Sequence, residues 1–232
     1  SPAAAPDRPT PAFLPPPPPA DAVTVSSQVA YARDVARRWF RLDASSESVA
    51  LSRADAGSLA AFLEPGDVLL ARRWSQGSLG QGGWWGAAGL YVGGDAGRRA
   101  AFGDDSLSAE LRALSPALLQ ASTTTRAEDL PSVLASGPRG VAVMTLAEFG
   151  AAEALAALRP RLPPADKAEA LRRGAASLGR PYDASQRPGG DALSEGEFLA
   201  HAYLDVLPFP EEPAAGPRAA SPGGLAVAFD EP

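Results

Sequence analysis

No cysteine occurs anywhere in the 232 residues, and histidine and methionine occur once each. Lysine is nearly absent too, Lys167 being the only one. Without cysteine there can be no disulfide, no thiolate nucleophile and no thiolate metal site, and one imidazole cannot assemble a histidine cluster. No metal ion and no cofactor is therefore expected. Nor does any apolar run approach the roughly 18–20 residues that a membrane-crossing helix needs. Positive charge is also short: 21 Lys+Arg stand against 27 Asp+Glu, for a net charge of −6. Nucleic acid, whose phosphates call for clustered basic residues, is an excluded partner on that ground. The absence of cysteine says nothing about redox compartment, because a reducing cytosol and a bacterial envelope both tolerate it.

What is abundant is proline, glycine and apolar side chains. Hydrophobic residues make up 45%, enough for a sizeable core in a chain of one-domain length. The 24 prolines concentrate at the start, where residues 1–20 read SPAAAPDRPTPAFLPPPPPA. Such a stretch favours extended polyproline II and is read as a flexible tether over residues 1–25. The chain starts without methionine, so a processed exported protein or lipoprotein is the expectation, in a bacterial periplasm or held at the outer membrane. A plain linker is the alternative, and a cytoplasmic location stays open. Residues 26–232 read as one domain with a helical extension at its start.

Within that domain the pattern alternates between helix and strand. Val29, Ala32, Val35, Ala36, Trp39 and Phe40 line one face of a helix over 28–42. Strands are predicted at Asp67–Ala71, after a Pro65–Gly66 turn, and at 88–92, 98–102 and 140–144. Thr145 and Glu148 form a capping-box pattern that opens a helix running to about Leu158. A second helix is predicted over 166–178 with Gly179 closing it, and a third from Ser194 and Glu197 to about Leu204. The fold class is α+β: a small antiparallel sheet or half-barrel packed against helices.

Five short motifs carry a more specific likeness. Pro65–Leu70 (PGDVLL), Ala87–Gly93 (AAGLYVG), Leu178–Asp183 (LGRPYD), Ser194–Tyr203 (SEGEFLAHAY) and Pro222–Ala226 (PGGLA) occur in that order. Together, over about residues 60–230, they resemble the circularly permuted papain-like amidases, the YiiX/YaeF-like branch of the NlpC/P60 superfamily. In that family the second segment carries a catalytic histidine and the fourth a nucleophilic cysteine. Without gaps the histidine falls on Ala87 and the cysteine on Glu195, while the family's glutamate is kept as Glu197. The resemblance thus implies a permuted papain-like fold whose catalytic pair has been replaced.

A cysteine at a helix N-terminus is activated because the dipole and free N–H groups lower its pKa. A carboxylate there enjoys the same field, typically by about 0.3–1 kcal/mol, so the fold need not suffer from Glu195. The chemistry does suffer, since a carboxylate is a poor nucleophile toward amides and Ala87 accepts no proton. Ser194 reads as an N-cap, with a substitute nucleophile as the alternative. His201, two turns further along the same helix, reads as a surface or packing residue in local contact with Glu197 four places back. The pairs Asp104–Asp105 and Asp183/Asp191 read as turns and solvated charges rather than acid–base dyads.

The Gly- and Trp-rich loop with Trp84 and Trp85 favours retained binding, by stacking or by closing over a ligand. Candidate cleft residues are Trp84, Trp85, Ala87, Tyr182, Asp183, Ser194 and Glu195. The functional expectation is a pseudoenzyme, a binding or scaffolding module of the bacterial envelope. Its expected partners are cell-wall peptide, an acylated ligand or another envelope protein. Two alternatives stand beside it: an amide or ester hydrolase with an unusual group set around Ser194 and Glu195, and a purely structural subunit of an envelope assembly.

Overall fold

A computed structural model describes residues 52–72, 85–103, 105–115, 118, 126–183, 190–207, 211–212 and 219–220. The chain divides into two units, Ser1–Ser48 and Val49–Pro232, and every described residue belongs to the second. The tether, the helix expected over 28–42, Trp84, Asp104 and the motif at 222–226 lie outside the described residues.

Five strands form one antiparallel sheet: β1 (Val68–Arg72), β2 (Ala87–Tyr91), β3 (Pro131–Gly137), β4 (Gly140–Thr145) and β5 (Ala154–Leu158). Their spatial order is β4-β3-β2-β1-β5, so β1, the PGDVLL strand, lies between β2 and β5. Val68 is opposite Leu90 on one side and Leu158 on the other. Both faces of the sheet are covered, which is why β1 reads as a continuous apolar run rather than an alternating one. On one face Val68, Leu70, Ala88, Leu90 and Leu134 meet α3 (Ser106–Leu114), α5 (Pro164–Ala176) and α6 (Glu195–Ala202). On the other, Leu69, Ala71, Ala87, Tyr91 and Val133 meet α1 (Arg53–Ala60) and the short α4 (Leu146–Phe149). The remaining helix, α2 (Asp95–Phe102), links β2 to α3, and Glu211–Glu212 and Ala219–Ala220 pair as a two-residue ribbon, β6 and β7.

The α+β class and the antiparallel sheet agree with the sequence. Two elements differ. Residues 98–102 are not a strand but the end of α2, closed by Gly103 at φ +83°. The reason is Arg98, only 1% exposed. It donates to the Val92 and Gly93 carbonyls, to Ser108 Oγ and to Asp95 Oδ1 at 2.5–3.2 Å. A helix alone places Asp95 and Arg98 one turn apart on the same side. The helix predicted from Thr145 does begin with its capping box, Glu148 N–H to Thr145 Oγ1 at 3.0 Å. It ends after Phe149, however, and Ala154–Leu158 becomes the edge strand β5. The ALAAL segment has good helix propensity, but five paired positions along β1 override it. There Leu155 packs toward one cluster while Ala156 and Leu158 pack toward the other.

The turn before β1 ties these layers together. Asp67 is 1% exposed, yet its carboxylate is fully engaged. It accepts from the Glu64 N–H at 2.8 Å and, in a two-pronged pair, from Arg159 Nε and Nη2 at 2.9 Å each. Gly66 adopts φ +93°, its N–H bonding the Tyr91 carbonyl at 2.8 Å. The Tyr203 hydroxyl, at the end of α6, donates to the Gly66 carbonyl.

Removing one partner of a buried pair leaves an uncompensated group, which typically costs about 3–5 kcal/mol. Arg159→Ala strands the sealed Asp67 carboxylate and is expected to lower the unfolding free energy in urea by that order. Asp67→Ala should cost less, because the Arg159 side chain left behind is half-exposed and can be hydrated. Equal and small losses, below about 1 kcal/mol for both, would show that the pair is not structural.

Candidate functional site

The site grows from the entry to α6. After α5 the chain makes a turn at Gly179 (φ +80°), whose N–H bonds the Val141 carbonyl at 2.9 Å. The Val141 N–H in turn bonds the Arg180 carbonyl at 2.9 Å, so the LGRPYD segment runs along the outer side of β4. Gly140 (φ +88°) faces it, and a Cβ there would sit 2.5 Å from the Arg180 oxygen. Tyr182 then forms a parallel bridge with Leu193, flanked by the bonds Leu193 N–H to Pro181 O and Asp183 N–H to Leu193 O. Ser136 Oγ on β3 also donates to the Leu193 carbonyl, at 2.6 Å. Leu193, just before α6, is thus tied directly to β3 and, through the 179–183 segment, indirectly to β4.

Ser194 is the N-cap, as expected. Its Oγ accepts from the Glu197 N–H at 3.3 Å, and the Glu197 carboxylate accepts from the Ser194 N–H at 2.9 Å. With Ser194 only 2% exposed, its hydroxyl is committed to capping. Glu195 occupies the first helical position at 7% exposure. The Tyr182 hydroxyl lies 3.1 and 3.2 Å from its two oxygens, so one phenolic proton is shared between them. A buried carboxylate is tolerable here because the helix dipole and the phenol both favour negative charge.

The other expected residues fall as follows. Tyr182 and Glu195 are brought together, and Asp183 joins them through its backbone to Leu193. Trp85, half-buried, packs against the core cluster on the α6 face. Ala87 does not share that face. It lies in the cluster with Leu69, Ala71 and Tyr91, whereas Ala88 faces the helices. Successive side chains alternate across a strand, so a one-residue difference in register moves a side chain to the opposite side of the sheet. The expected pairing of positions 87 and 195 across one cleft is therefore replaced by Ala88 on the α6 side. The expected Glu197–His201 contact is likewise not what the Glu197 carboxylate does, since the capping box engages it.

The fold contributes what sequence reading missed: the phenol of Tyr182 as the partner of Glu195, and Ser136 as the brace of Leu193. Only the Tyr182–Asp183 motif hinted at the first. Among the described residues no group of three or more His, Cys, Asp or Glu side chains gathers to hold a metal. Among them, too, no helix is long and apolar enough to cross a membrane.

Tyr182→Phe should destabilise the protein by about 1–3 kcal/mol, the cost of withdrawing a donor from a buried charged acceptor. The same change in a Glu195→Ala background should cost clearly less, and a double-mutant cycle from urea unfolding measures the difference. Additive losses would mean that the phenol and carboxylate do not act on each other. Compared with known proteins, the chain matches no family model, no curated protein and no solved structure.

Proposed function

We propose that this chain is a catalytically inactive, permuted papain-like domain of NlpC/P60 type that binds or scaffolds instead of hydrolysing. The observation that carries the reading is the occupant of the first turn of α6. At the position matched to the family's nucleophile stands a buried carboxylate, Glu195, held by Tyr182. The chain has no thiol to take its place. The proposed base position is empty of imidazole in either strand register, because both 87 and 88 are alanine. An antiparallel sheet with its PGDVLL strand in the interior, between β2 and β5, and the SEGEFLAHAY helix packed on one face supports the architecture.

An active hydrolase built on Ser194 is disfavoured by the same geometry. Its hydroxyl caps the helix, and the chain's one imidazole lies on the same helix about 10 Å further along the axis. A purely structural subunit is the second reading. The burial of Ser194 and Glu195 favours it over an open groove. The proline-rich stretch supports an envelope setting for either role, with cell-wall peptide, an acylated ligand or another envelope protein as the proposed partner.

Purified protein assayed on generic amides, esters and peptidoglycan fragments should show no turnover above a blank, and Ser194→Ala and Glu195→Gln should match wild type. Turnover abolished by either substitution would overturn the reading. In parallel, saturable thermal stabilisation by a muropeptide or an acylated peptide would support binding. Stabilisation by neither, with no turnover, leaves the structural-subunit reading in place of the binding one.

A further inference from the structure

The two edges of the five-stranded sheet are finished differently. β4, at one edge, is met by the LGRPYD segment. There the Val141 N–H bonds the Arg180 carbonyl and the Gly179 N–H bonds the Val141 carbonyl, each at 2.9 Å. β5, at the other edge, pairs with β1 through all five of its residues. On its outer side it has no strand partner among the described residues. Protein edges are normally blunted by a charge, a proline or a bulge. ALAAL carries none of these: it is uncharged, free of proline and in unbroken register with β1. Charges stand just beyond its two ends, Glu153 before it and Arg159 after it. Pro160, which has no N–H to offer a ladder, then closes the stretch.

We propose that β5 is a self-pairing edge: it takes the β5 of a second copy of this chain, antiparallel about a two-fold axis at Ala156, and joins two sheets into one.

The register follows from side-chain alternation. A two-fold axis between identical antiparallel strands must pass beside a residue, because successive side chains lie on opposite faces. With the axis at Ala156, that residue meets the partner's Ala156 and Ala154 meets the partner's Leu158, all on the face toward α6. On the other face Leu155 meets the partner's Ala157, and Glu153 meets the partner's Arg159. Opposite charges thus close the ladder at both ends. Arg159 is already held in position by its two bonds to Asp67, with 44% of its side chain still exposed. Moving the axis to Leu155 sets Glu153 against Ala157 and leaves Arg159 without an acidic partner across the ladder. Moving it to Ala157 draws Pro160 into the ladder and lays Arg159 against Leu155. The proline-rich residues 1–20 are a poorer occupant, because proline cannot donate to a strand. Five paired residues make an interface smaller than the roughly 1,200–2,000 Å² of a standard one, so the association is weak and concentration-dependent. It does not depend on what, if anything, the Glu195 end of α6 binds.

Sedimentation velocity on the full chain tests this between about 10 µM and about 1 mM, the range suited to a small interface. Wild type should pass from monomer to dimer, and Ala157→Lys, a charge at the exposed position of the edge, should stay monomeric. Because the chain has no cysteine, an introduced thiol reads the register. Across the axis the two Ala156 Cβ atoms lie about 4.5–5.5 Å apart, and the two Ala157 Cβ atoms, diagonal to one another, about 7–8 Å. A disulfide needs about 3.5–4.5 Å, which a small local shift supplies only at 156. Mild oxidation should therefore link Ala156→Cys into a dimer and leave Ala157→Cys unlinked, although 157 is the more exposed position. A wild type that stays monomeric throughout overturns the proposal, and slow β5 amide exchange in that monomer would assign the edge to a segment of the same chain. Dimerisation unchanged by Ala157→Lys, or equal linking of the two cysteine variants, overturns it too. Should Ala156→Cys not fold, the sedimentation comparison decides.

Discussion

A single buried negative charge organises this fold. Asp67 lies at the start of β1, nearly sealed from water, and such a charge is tolerated only if paired and hydrogen-bonded. The requirement reaches out in three directions. Arg159, at the far end of β5, must come back to Asp67, which fixes the edge strand against β1. The Asp67 carbonyl accepts from the Tyr91 N–H at 2.9 Å, which fixes the end of β2. The preceding Gly66 then presents its carbonyl to Tyr203, which anchors α6. Burial, and next the nearby Asp67 charge, push the Tyr203 hydroxyl far above the usual phenol range, so it remains a donor. Glycine is needed at 93 as well, because a Cβ there would lie 2.9 Å from Pro65 Cγ at a φ of +64°.

The parts of the molecule that could be read from sequence are those where a local rule and the tertiary environment agree. The PGDVLL strand, the capping boxes at Thr145 and Ser194, and the turn at Gly179 all belong here. Where the reading failed, a long-range interaction overrode a local preference. ALAAL has the composition of a helix but completes the sheet edge beside β1. Residues 98–102 resemble a short apolar strand only until Arg98 is seen to bury itself under four acceptors. Strand β3 is absent from the sequence reading: PSVLASG carries a serine, Ser136, whose burial is matched by a partner distant in sequence, the Leu193 carbonyl.

The candidate site divides in the same way. Ser194, Glu195 and Tyr182 could be named from motifs, and their approach follows from the pairing of Tyr182 with Leu193. Which face of β2 meets α6 could not be read from a short motif, since strand periodicity is two and one residue of register decides it. That alternation puts Ala88 where Ala87 was expected. The chemical consequence is unaffected, because both are methyl groups unable to take up a proton. What α6 presents is an electrostatic character: an N-terminal turn that favours an anion, with a phenol donating to it.

That character can be measured without knowing a ligand. In Glu195→Cys the introduced thiol is the only one in the chain, so its alkylation rate by iodoacetamide can be followed against pH without interference. An anion-favouring helix N-terminus with Tyr182 as donor predicts a midpoint well below the value near 8.5 of an unperturbed cysteine, with the urea-unfolded chain as reference. A midpoint at or above that of the unfolded chain would contradict the account, because the first turn of α6 would then lack the electrostatic environment on which the proposed likeness to a cysteine-hydrolase site rests.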